Sequence, residues 1–304
     1  MPLRREVLLA GCVCLLLICI GGLVRYALEA RRSAQIGQSN REAYYSQASQ
    51  QEEQEALAQR GGIIRQFEVT FSSAAAESSP APTNAPKLSD WPKNPSMAVS
   101  AKLQKLRKQN RDVIGWLSIP DTLEQAVVQR DNAYYLKRDY LGYHNANGAL
   151  FLEEDISLKT RPDTYIIFGH NMKTGDMFGC LRQYEDVGFY RSHALIDFNV
   201  LYEDGSYVVF AIADVDTIQG MRYFAPFMQL PGMEPRQRAA CIQQLQAYSH
   251  LYSPIQVGPE DQLLLLVTCE GTEESRRVVA ARRLREGESI ETLRSLLQSA
   301  KKRN

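Results

Sequence analysis

The sequence has no excess of charge of either sign and few histidines. Its 304 residues include 35 basic and 35 acidic side chains, which gives a formal net charge of zero, and four histidines. A nucleic-acid-binding domain usually carries a basic excess, so this balance argues against one. With 44% hydrophobic and 9% aromatic residues, the chain can form a normal core, either in one sizeable domain with appendages or in two small domains.

Cysteine is too sparse and too unevenly placed for a disulfide-stapled scaffold. Three of the six cysteines lie in one apolar segment near the N-terminus, and the body of the chain contains Cys180, Cys241 and Cys269. Three body cysteines do not pair off evenly, so at least one thiol is expected to be free. The sequence has no Cys/His cluster of the kind that binds zinc, and we predict neither a metal site nor a cofactor.

Charge is also missing from an 18-residue stretch, Val7 to Val24. A helix of this length, at about 1.5 Å per residue, just crosses a bilayer core of about 30 Å. A cleaved signal peptide is disfavoured because no A-x-A site follows the stretch. A lipoprotein signal ending at Cys12 is disfavoured because only Val7 to Ala10 would form its apolar region. We therefore predict an uncleaved membrane anchor within residues 1–32, whose flanking arginines leave the orientation open.

The sequence between the anchor and the body of the chain is mostly polar. Segment 41–60 has good helix formers without Pro or Gly and few apolar positions, which predicts a solvated helix. Residues 72–96 contain five prolines among Ser and Ala, which is typical of an extended, mobile linker. We expect a stalk and linker over 33–96 that hold a domain away from the membrane, a folded domain at 97–288 and a basic helical tail at 289–304.

Short strand-like runs dominate the body of the chain, and few helices separate them. The runs are 111–119, 126–129, 148–153, 164–170, 206–215, 261–269 and 276–284. Short β-runs at this spacing predict a mainly antiparallel barrel or sandwich. A helical pattern with apolar positions from Val99 precedes them. A second helix is predicted at 234–252, where Cys241 and Tyr248 share one face, so Cys241 is expected to be a core thiol.

Two reactive side chains stand where apolar runs end. His170 follows the run TYIIFG, and Cys269 closes the run DQLLLLVT. Catalytic side chains concentrate at such strand ends and on loops held by a rigid scaffold. A surface-loop histidine and a buried core cysteine are the alternative explanations from position alone.

A thiol at Cys269 needs positive charge nearby to ionise at neutral pH. Acidic residues follow it directly, beginning with Glu270, so that charge must come from elsewhere. The candidates are His170 and the pair Arg276 and Arg277, seven and eight residues after the cysteine. This gap suits a hairpin, and antiparallel pairing would place the thiol and one arginine at the same end of a sheet. The alternative is that the arginines form a solvated edge pair.

Four segments match one known family. The cysteine strand ends in LLVTC (265–269), close to a T-L-x-T-C signature with leucine replacing the first threonine, and FGHNMKTGDMF (168–178) contains the histidine. Segment 113–155 and the helix at 234–252 also match in order and spacing. In these features the sequence resembles the sortases, cysteine transpeptidases of Gram-positive cell surfaces, and class B sortases in particular. The resemblance covers about residues 99–285.

The resemblance implies a mainly β fold, an eight-stranded sortase barrel with an N-terminal helix and an inserted helix before the cysteine strand. It also implies a cysteine transpeptidase, of the peptidase and acyltransferase kind, that needs no cofactor. Cys269 would attack the threonine carbonyl of an LPxTG-like or NPxTx-like sorting motif, and His170 would protonate the leaving amine. The class B register selects Arg276 rather than Arg277 as the donor to the oxyanion.

The family also implies substrate contacts and partners. The expected substrate-binding residues are Asn132, Leu136, Thr268 and Glu270. The partners would be secreted proteins with a sorting motif, an acceptor amine from a peptidoglycan precursor (lipid II) or a pilin lysine, and the membrane. The N-terminus would be cytoplasmic, and the stalk and catalytic domain would be extracellular on a single-pass anchor in the cell membrane.

Two other functions compete with the sortase hypothesis. A catalytically silent adhesive or scaffold domain on a membrane stalk would need only the fold. A papain-like hydrolase is disfavoured, because that family places its cysteine near the mature N-terminus and its histidine downstream.

Overall fold

The fold is mainly β, as expected from the sequence, and its centre is a closed barrel of eight strands. The structure is a computed structural model that describes residues 2–68, 91–216, 225–269 and 275–303. In chain order the strands are β1 (Val113–Ile119), β2 (Leu123–Val128), β3 (Leu150–Leu152), β4 (Thr164–His170), β5 (Leu195–Val200), β6 (Ser206–Asp216), β7 (Leu251–Tyr252), β8 (Leu263–Cys269), β9 (Ser275–Arg283) and β10 (Lys301–Lys302). The barrel order is β1-β2-β3-β4-β8-β9-β6-β5, and β7 pairs with β10 in a separate sheet.

Two neighbouring strand pairs in the barrel are parallel. These are β2 with β3 and β4 with β8, and the other barrel pairs are antiparallel. A parallel pair needs a long crossover connection, and the chain from β4 to β8 includes β5, β6 and β7. The parallel pairing brings the carboxyl ends of β4 and β8 to the same edge of the barrel.

Six α-helices accompany the strands in the described part of the chain. They are α1 (Pro2–Glu68), α2 (Ala101–Gln109), α3 (Val187–His193), α4 (Ala225–Met228), α5 (Pro235–Tyr248) and α6 (Ile290–Leu297). Short 3-10 helices cover Tyr134–Lys137 and Phe178–Glu185.

Helix α5 lies where the inserted helix was predicted, but only part of its predicted apolar face is buried. Cys241 is a buried core thiol, whereas Tyr248 is 45% exposed. The helix ends at Tyr248, and the chain then turns inward at Ser249, whose hydroxyl accepts a hydrogen bond from the backbone N–H of Ile212 at 3.1 Å. The turn leaves the tyrosine ring outside the core.

The helix α1 runs without a break from the apolar stretch into the segment expected to be a solvated stalk. Part of that segment instead packs on the barrel through one stripe of the helix. The stripe recurs every three or four residues and consists of Glu29, Ala30, Ser33, Ile36, Gly37, Asn40, Ala43 and Tyr44. Tyr44 stacks on Trp116 of β1 with ring centroids 4.6 Å apart, and its hydroxyl accepts a hydrogen bond from Asn199 at 2.7 Å. Most side chains of the stripe are small or polar, so the hydrophobic pattern of the sequence does not predict that this part of α1 packs on the barrel.

Packed residues occur before the predicted start of the folded domain, and the predicted C-terminal helix is shorter than expected. Trp91 is 1% exposed and lies edge-on to Tyr202, so packing starts before Met97. The C-terminal tail is helical only in α6. Beyond this helix the chain turns, and β10 pairs with β7 in antiparallel register, with Lys301 opposite Tyr252 and Lys302 opposite Leu251.

Candidate active site

The ends of β4 and β8 bring the candidate histidine and cysteine together. In the parallel register of these strands His170 and Cys269 are Cα partners. Neighbouring strands lie about 4.8 Å apart, so the backbones at the two positions are adjacent. The five apolar residues of β8 that lead to this point, Leu263–Val267, are each at most 1% exposed, and the strand end is therefore held by the core.

The close packing of β4 explains the glycine before the histidine. A Cβ on Gly169 would lie 2.4 Å from a side-chain carbon of Leu150 and 2.9 Å from the ring of Phe178. Real Cβ atoms essentially never come this close, so a larger residue would shift the strand. Glycine at this position thus lets β4 run close to its neighbours up to His170.

The half-buried ring of His170 has one defined hydrogen bond. Its Nε2 lies 2.6 Å from the backbone carbonyl oxygen of Leu136. A carbonyl oxygen only accepts, so Nε2 carries the hydrogen and donates it, and Nδ1 is the nitrogen left for proton exchange in the neutral ring. Gly148, at φ +62, packs beside this contact, since a Cβ there would lie 3.0 Å from Cδ2 of His170 and 2.9 Å from that carbonyl oxygen.

The other three histidines have different surroundings. His193 stacks on Phe189 with centroids 4.0 Å apart, and His250 is 3.0 Å from a carboxylate oxygen of Asp214. His144 is exposed and bridges to Arg138. Of the four, His170 is the one paired in register with Cys269.

Arg276 reaches the backbone next to the cysteine. Strands β8 and β9 are antiparallel with Val267 opposite Val278, and the same register carried two residues further sets Cys269 opposite Arg276. The Nη1 of this half-buried arginine donates to the carbonyl oxygen of Thr268 at 3.1 Å. Its guanidinium thus lies at the end of β8.

Arg277 forms ion pairs with two carboxylates. Its Nε and Nη2 each donate to Asp214 at 2.8 Å, and Nη2 also donates to Glu185 at 2.6 Å. Successive side chains of a strand point to opposite faces, so the guanidinium groups of Arg276 and Arg277 have different partners. Burial alone would lower the pKa of Arg277, but the hydrogen bonds and charges of these carboxylates outweigh it and raise that pKa.

The carboxylate of Asp214 responds in the opposite direction. Burial alone would raise its pKa, but the hydrogen bonds and charge of Arg277, with His250 beside it, hold the pKa below its usual value. Asp214 is exposed and follows the uninterrupted apolar run Tyr207–Ala213 of β6. The end of that run is the sequence signal for this carboxylate, whereas nothing in the sequence pairs it with Arg277.

The four residues expected to contact the substrate do not form one cluster with His170 in the described structure. Leu136 lies next to His170 through its carbonyl, a role that the sequence reasoning did not foresee. Asn132 is bound to the turn after β3, where its Nδ2 donates to Glu153 at 3.0 Å and to Glu154 at 3.2 Å. Glu270 lies outside the described residues.

Thr268 is 1% exposed, and its hydroxyl accepts from the backbone N–H of Arg277 at 2.9 Å. Its side chain therefore contacts β9 rather than open space, and it supports the arginine pair. This burial does not favour the expected substrate contact by the threonine side chain.

The remaining body thiols are buried and resist ionisation. Burial raises the pKa of Cys180 to about 12 and that of Cys241 to about 11. Both are mainly protonated at neutral pH and are poor nucleophiles. Within the described ranges, no group of three or more His, Cys, Asp or Glu side chains is placed to hold a metal ion.

A cleft of about 550 Å³ lies between α1 and the barrel. Ser33 and Arg41 line it on the helix, and Glu124 and Met177 line it on the barrel. Met177 bridges to Asn171, so the cleft touches the hairpin that follows His170 without including the histidine.

Comparison with known proteins identifies the family. No family model matches the sequence. Sortase B of Listeria monocytogenes is 31% identical over 177 residues, which cover 57% of this chain and 68% of that protein. Sortase B of Staphylococcus aureus is 25% identical over 190 residues, or 61% of this chain and 75% of that protein.

Solved structures of the same family share the fold. A Staphylococcus aureus sortase B–substrate complex matches at 25% identity with a TM-score of 0.57, over 62% of this chain and 88% of that chain. Sortase B from Bacillus anthracis in complex with AAEK1 matches at 26% identity with a TM-score of 0.55, over 62% and 86%. With this likeness in sequence and in the eight-stranded barrel, the chain belongs to the sortase B family of cysteine transpeptidases.

Proposed function

We propose that this sortase cleaves a C-terminal sorting motif of the LPxTG or NPxTx type after threonine, with Cys269, His170 and Arg276 as its catalytic residues. One observation carries the assignment. His170 and Cys269 are register partners at adjacent ends of parallel strands, and Arg276 donates to the carbonyl of the residue that precedes the cysteine. Cys269, His170 and Arg276 thus lie at one edge of the barrel, which supports their proposed roles as nucleophile, acid–base group and charged donor.

The proposed reaction is two acyl transfers. The Cys269 thiolate attacks the threonine carbonyl carbon, and Arg276 donates hydrogen bonds to the oxyanion that forms. The C–N bond then breaks, and the leaving amine takes a proton from His170. An acceptor amine attacks the resulting thioester and loses a proton to His170, and the C–S bond breaks to release the thiolate and the new amide.

The hydrogen bond from His170 to Leu136 supports the use of one ring nitrogen, Nδ1, for proton transfer. Because Nε2 donates to the carbonyl, Nδ1 is the atom that gives and takes the proton. The carbonyl also stabilises the protonated ring, since a cation strengthens the hydrogen bond that Nε2–H already makes. An imidazole suits both the acid and the base step, because one ring nitrogen can both donate and accept a proton.

The partners of the two arginines support Arg276 as the oxyanion donor. Arg276 is bound to one neutral carbonyl, and turning toward an oxyanion exchanges a neutral acceptor for a charged one. Arg277 would have to give up its hydrogen bonds to two carboxylates, Asp214 and Glu185, before it could bind an oxyanion. Asn132, Leu136 and Glu270 are proposed as contacts of the sorting motif.

The proposed setting is the outer surface of the cell membrane. An 18-residue window within Gly11–Ser46 has a mean hydropathy of 2.2 and no buried residue, enough by length and composition to cross a membrane, although an N-terminal signal sequence has the same features. We propose a single-pass anchor in residues 1–32 with the N-terminus in the cytoplasm, a connecting region at 33–96, a catalytic domain at 97–288 and a basic tail at 289–304. The acceptor would be an amine of a peptidoglycan precursor such as lipid II, or a pilin lysine.

A peptide-cleavage assay tests the proposal. The full-length protein in detergent is incubated with a library of fluorogenic sorting-motif peptides, with and without candidate amines. We expect Cys269→Ala to abolish cleavage and the matched variant Cys241→Ala, in α5, to retain it. Undiminished cleavage by Cys269→Ala would rule out the assigned nucleophile.

A thiol-reactivity measurement separates this function from a silent adhesive domain. We expect alkylation of Cys269 to be faster than that of Cys180 and Cys241, whose pKa values burial has raised. Equal, slow alkylation of all three thiols would favour the adhesive domain.

A further inference from the structure

Residues 137–144, which we call the tyrosine loop, expose apolar and basic side chains together. Leu141 is 37% and Tyr143 56% exposed, and Lys137 and Arg138 are exposed beside them. The loop is held by buried Asp139, whose Oδ1 accepts from the backbone N–H groups of Leu141 and Tyr143 at 3.0 Å each. The two apolar side chains therefore project from a fixed backbone.

The tyrosine loop is attached to α1. The Arg32 guanidinium lies 4.3 Å from the centre of the Tyr143 ring, and its Nε is 3.8 Å from Asp139. One residue further along α1, Ser33 accepts a hydrogen bond from Asn145 at 2.6 Å. These three contacts fix the loop at one level along the helix.

That level is close to the proposed membrane surface. Arg32 is eight residues beyond Val24, the last residue of the uncharged stretch, which is about 12 Å along a helix axis. The polar headgroup layer extends about 5–8 Å from the hydrocarbon core on each side. The tyrosine loop thus lies about 4–7 Å beyond the headgroup layer, a gap that the extended side chains of Tyr143, Lys137 and Arg138 can cross.

We propose that the tyrosine loop is a second membrane contact of the protein, which binds anionic lipid headgroups in the leaflet from which α1 emerges. Leu141 and Tyr143 enter the headgroup layer, and Lys137, Arg138 and Arg31 bind lipid phosphates. Tyrosine is favoured at this depth because its ring is apolar and its hydroxyl polar. Basic side chains are attracted by the negative potential of anionic lipids. The inference rests on the proposed anchoring by α1.

The tyrosine loop lies next to the candidate active site. It directly follows Leu136, whose carbonyl oxygen accepts a hydrogen bond from His170. Membrane binding by the loop would hold this side of the barrel close to the lipid surface. An acceptor amine that is linked to a lipid would then be presented where the thioester forms.

Quenching of an introduced tryptophan measures the depth of the loop. The two native tryptophans, Trp91 and Trp116, are each 1% exposed and give a low background. Full-length Tyr143→Trp is reconstituted in phosphatidylglycerol vesicles that contain a lipid with a spin label on its headgroup. Tyr252→Trp is the matched control, because Tyr252 is 57% exposed and also has an arginine, Arg303, 4.3 Å from its ring centre.

We expect the spin label to quench Tyr143→Trp at least three-fold more than Tyr252→Trp. The difference should shrink in phosphatidylcholine vesicles, and also when Lys137 and Arg138 are both changed to glutamine in the Tyr143→Trp protein. Leu141→Trp repeats the measurement at a second position of the loop.

Tyr26→Trp, just beyond the apolar stretch, separates the two possible failures. Quenching of Tyr26→Trp, with Tyr143→Trp quenched no more than Tyr252→Trp, would refute the loop contact and leave the anchor intact. No quenching of Tyr26→Trp would refute the anchor and, with it, the loop contact. If the difference in quenching between Tyr143→Trp and Tyr252→Trp is the same in phosphatidylglycerol and phosphatidylcholine vesicles, anionic headgroups have no role in the contact.

Discussion

At the scale of residues, the two adjacent arginines of β9 differ in what each one binds. Arg276 donates to the Thr268 carbonyl at 3.1 Å, next to the candidate nucleophile. Arg277 binds Asp214 and Glu185 and is 10% exposed. One arginine is therefore assigned to the reaction and the other to the stability of the barrel wall.

Alanine variants of the two arginines should separate these roles. We expect Arg276→Ala to lower kcat by about 10²–10³, the usual cost of removing one oxyanion donor. Arg277→Ala should change kcat far less and lower the free energy of unfolding by about 1 kcal/mol, a modest loss because its carboxylate partners are partly exposed. The measurements are steady-state peptide cleavage and urea unfolding. The reverse pattern would reassign the donor to Arg277.

The lowered pKa of Asp214 predicts a pH dependence of stability. Its pKa in the folded protein lies below its usual value, so the unfolded chain binds the proton more readily. The contribution of the carboxylate is then fully present above the unfolded pKa and is lost as pH falls through the folded pKa. The difference in unfolding free energy between the protein and its Asp214→Asn variant should shrink as the pH falls below about pH 4. A difference that stays constant at low pH would contradict the ion pair.

At the scale of elements, the sequence predicted most strands and the edge at which the site lies. The apolar runs of β4 and β8 indicate where each strand ends, because His170 and Cys269 close them along the chain. The strand β5 was missed, since Asp197 and Asn199 interrupt its apolar residues and leave only a weak alternation. The parallel pairing of β4 with β8 could not be predicted either, because register between distant strands is set by packing across the whole barrel.

One buried arginine of α5 fastens this helix to the starts of β4 and β8. Arg238 is 2% exposed and donates to the hydroxyl of Thr164 at 2.7 Å and to the carbonyl oxygens of Asp163 and Asp261 at 2.9 Å each. It thereby contacts the amino ends of both strands whose carboxyl ends carry the candidate residues. No sequence pattern indicates this role, since an arginine on a helix is usually solvated.

Removal of this arginine should destabilise the fold. We expect Arg238→Leu to lower the free energy of unfolding by about 3–5 kcal/mol, because it leaves several buried carbonyl groups without their donor. Arg236→Leu, at an exposed position two residues earlier on the same helix, is the matched control and should change it by less than about 0.5 kcal/mol. Comparable effects of the two changes in urea unfolding would show that the buried contacts contribute little.

At the scale of the whole molecule, α1 belongs to the catalytic barrel as well as to the proposed anchor. The helix stacks Tyr44 on Trp116 and binds the loop behind Leu136 through Ser33. The sequence suggested a solvated stalk because small and polar side chains such as Gly37 and Asn40 form the contact. A periodic apolar pattern predicts helix packing through large apolar side chains. It does not predict a helix that approaches its neighbour closely through small side chains.

The central claim is that Cys269 forms a thioester with the threonine of a sorting motif. The most direct measurement is peptide mapping by mass spectrometry after the full-length protein has been mixed with a cleavable sorting-motif peptide and quenched in acid. The account predicts a mass increase, equal to the acyl fragment that ends in threonine, on the peptide containing Cys269, and its loss on addition of an acceptor amine. An acyl fragment attached to another residue, or cleavage by Cys269→Ala at the normal rate, would contradict it.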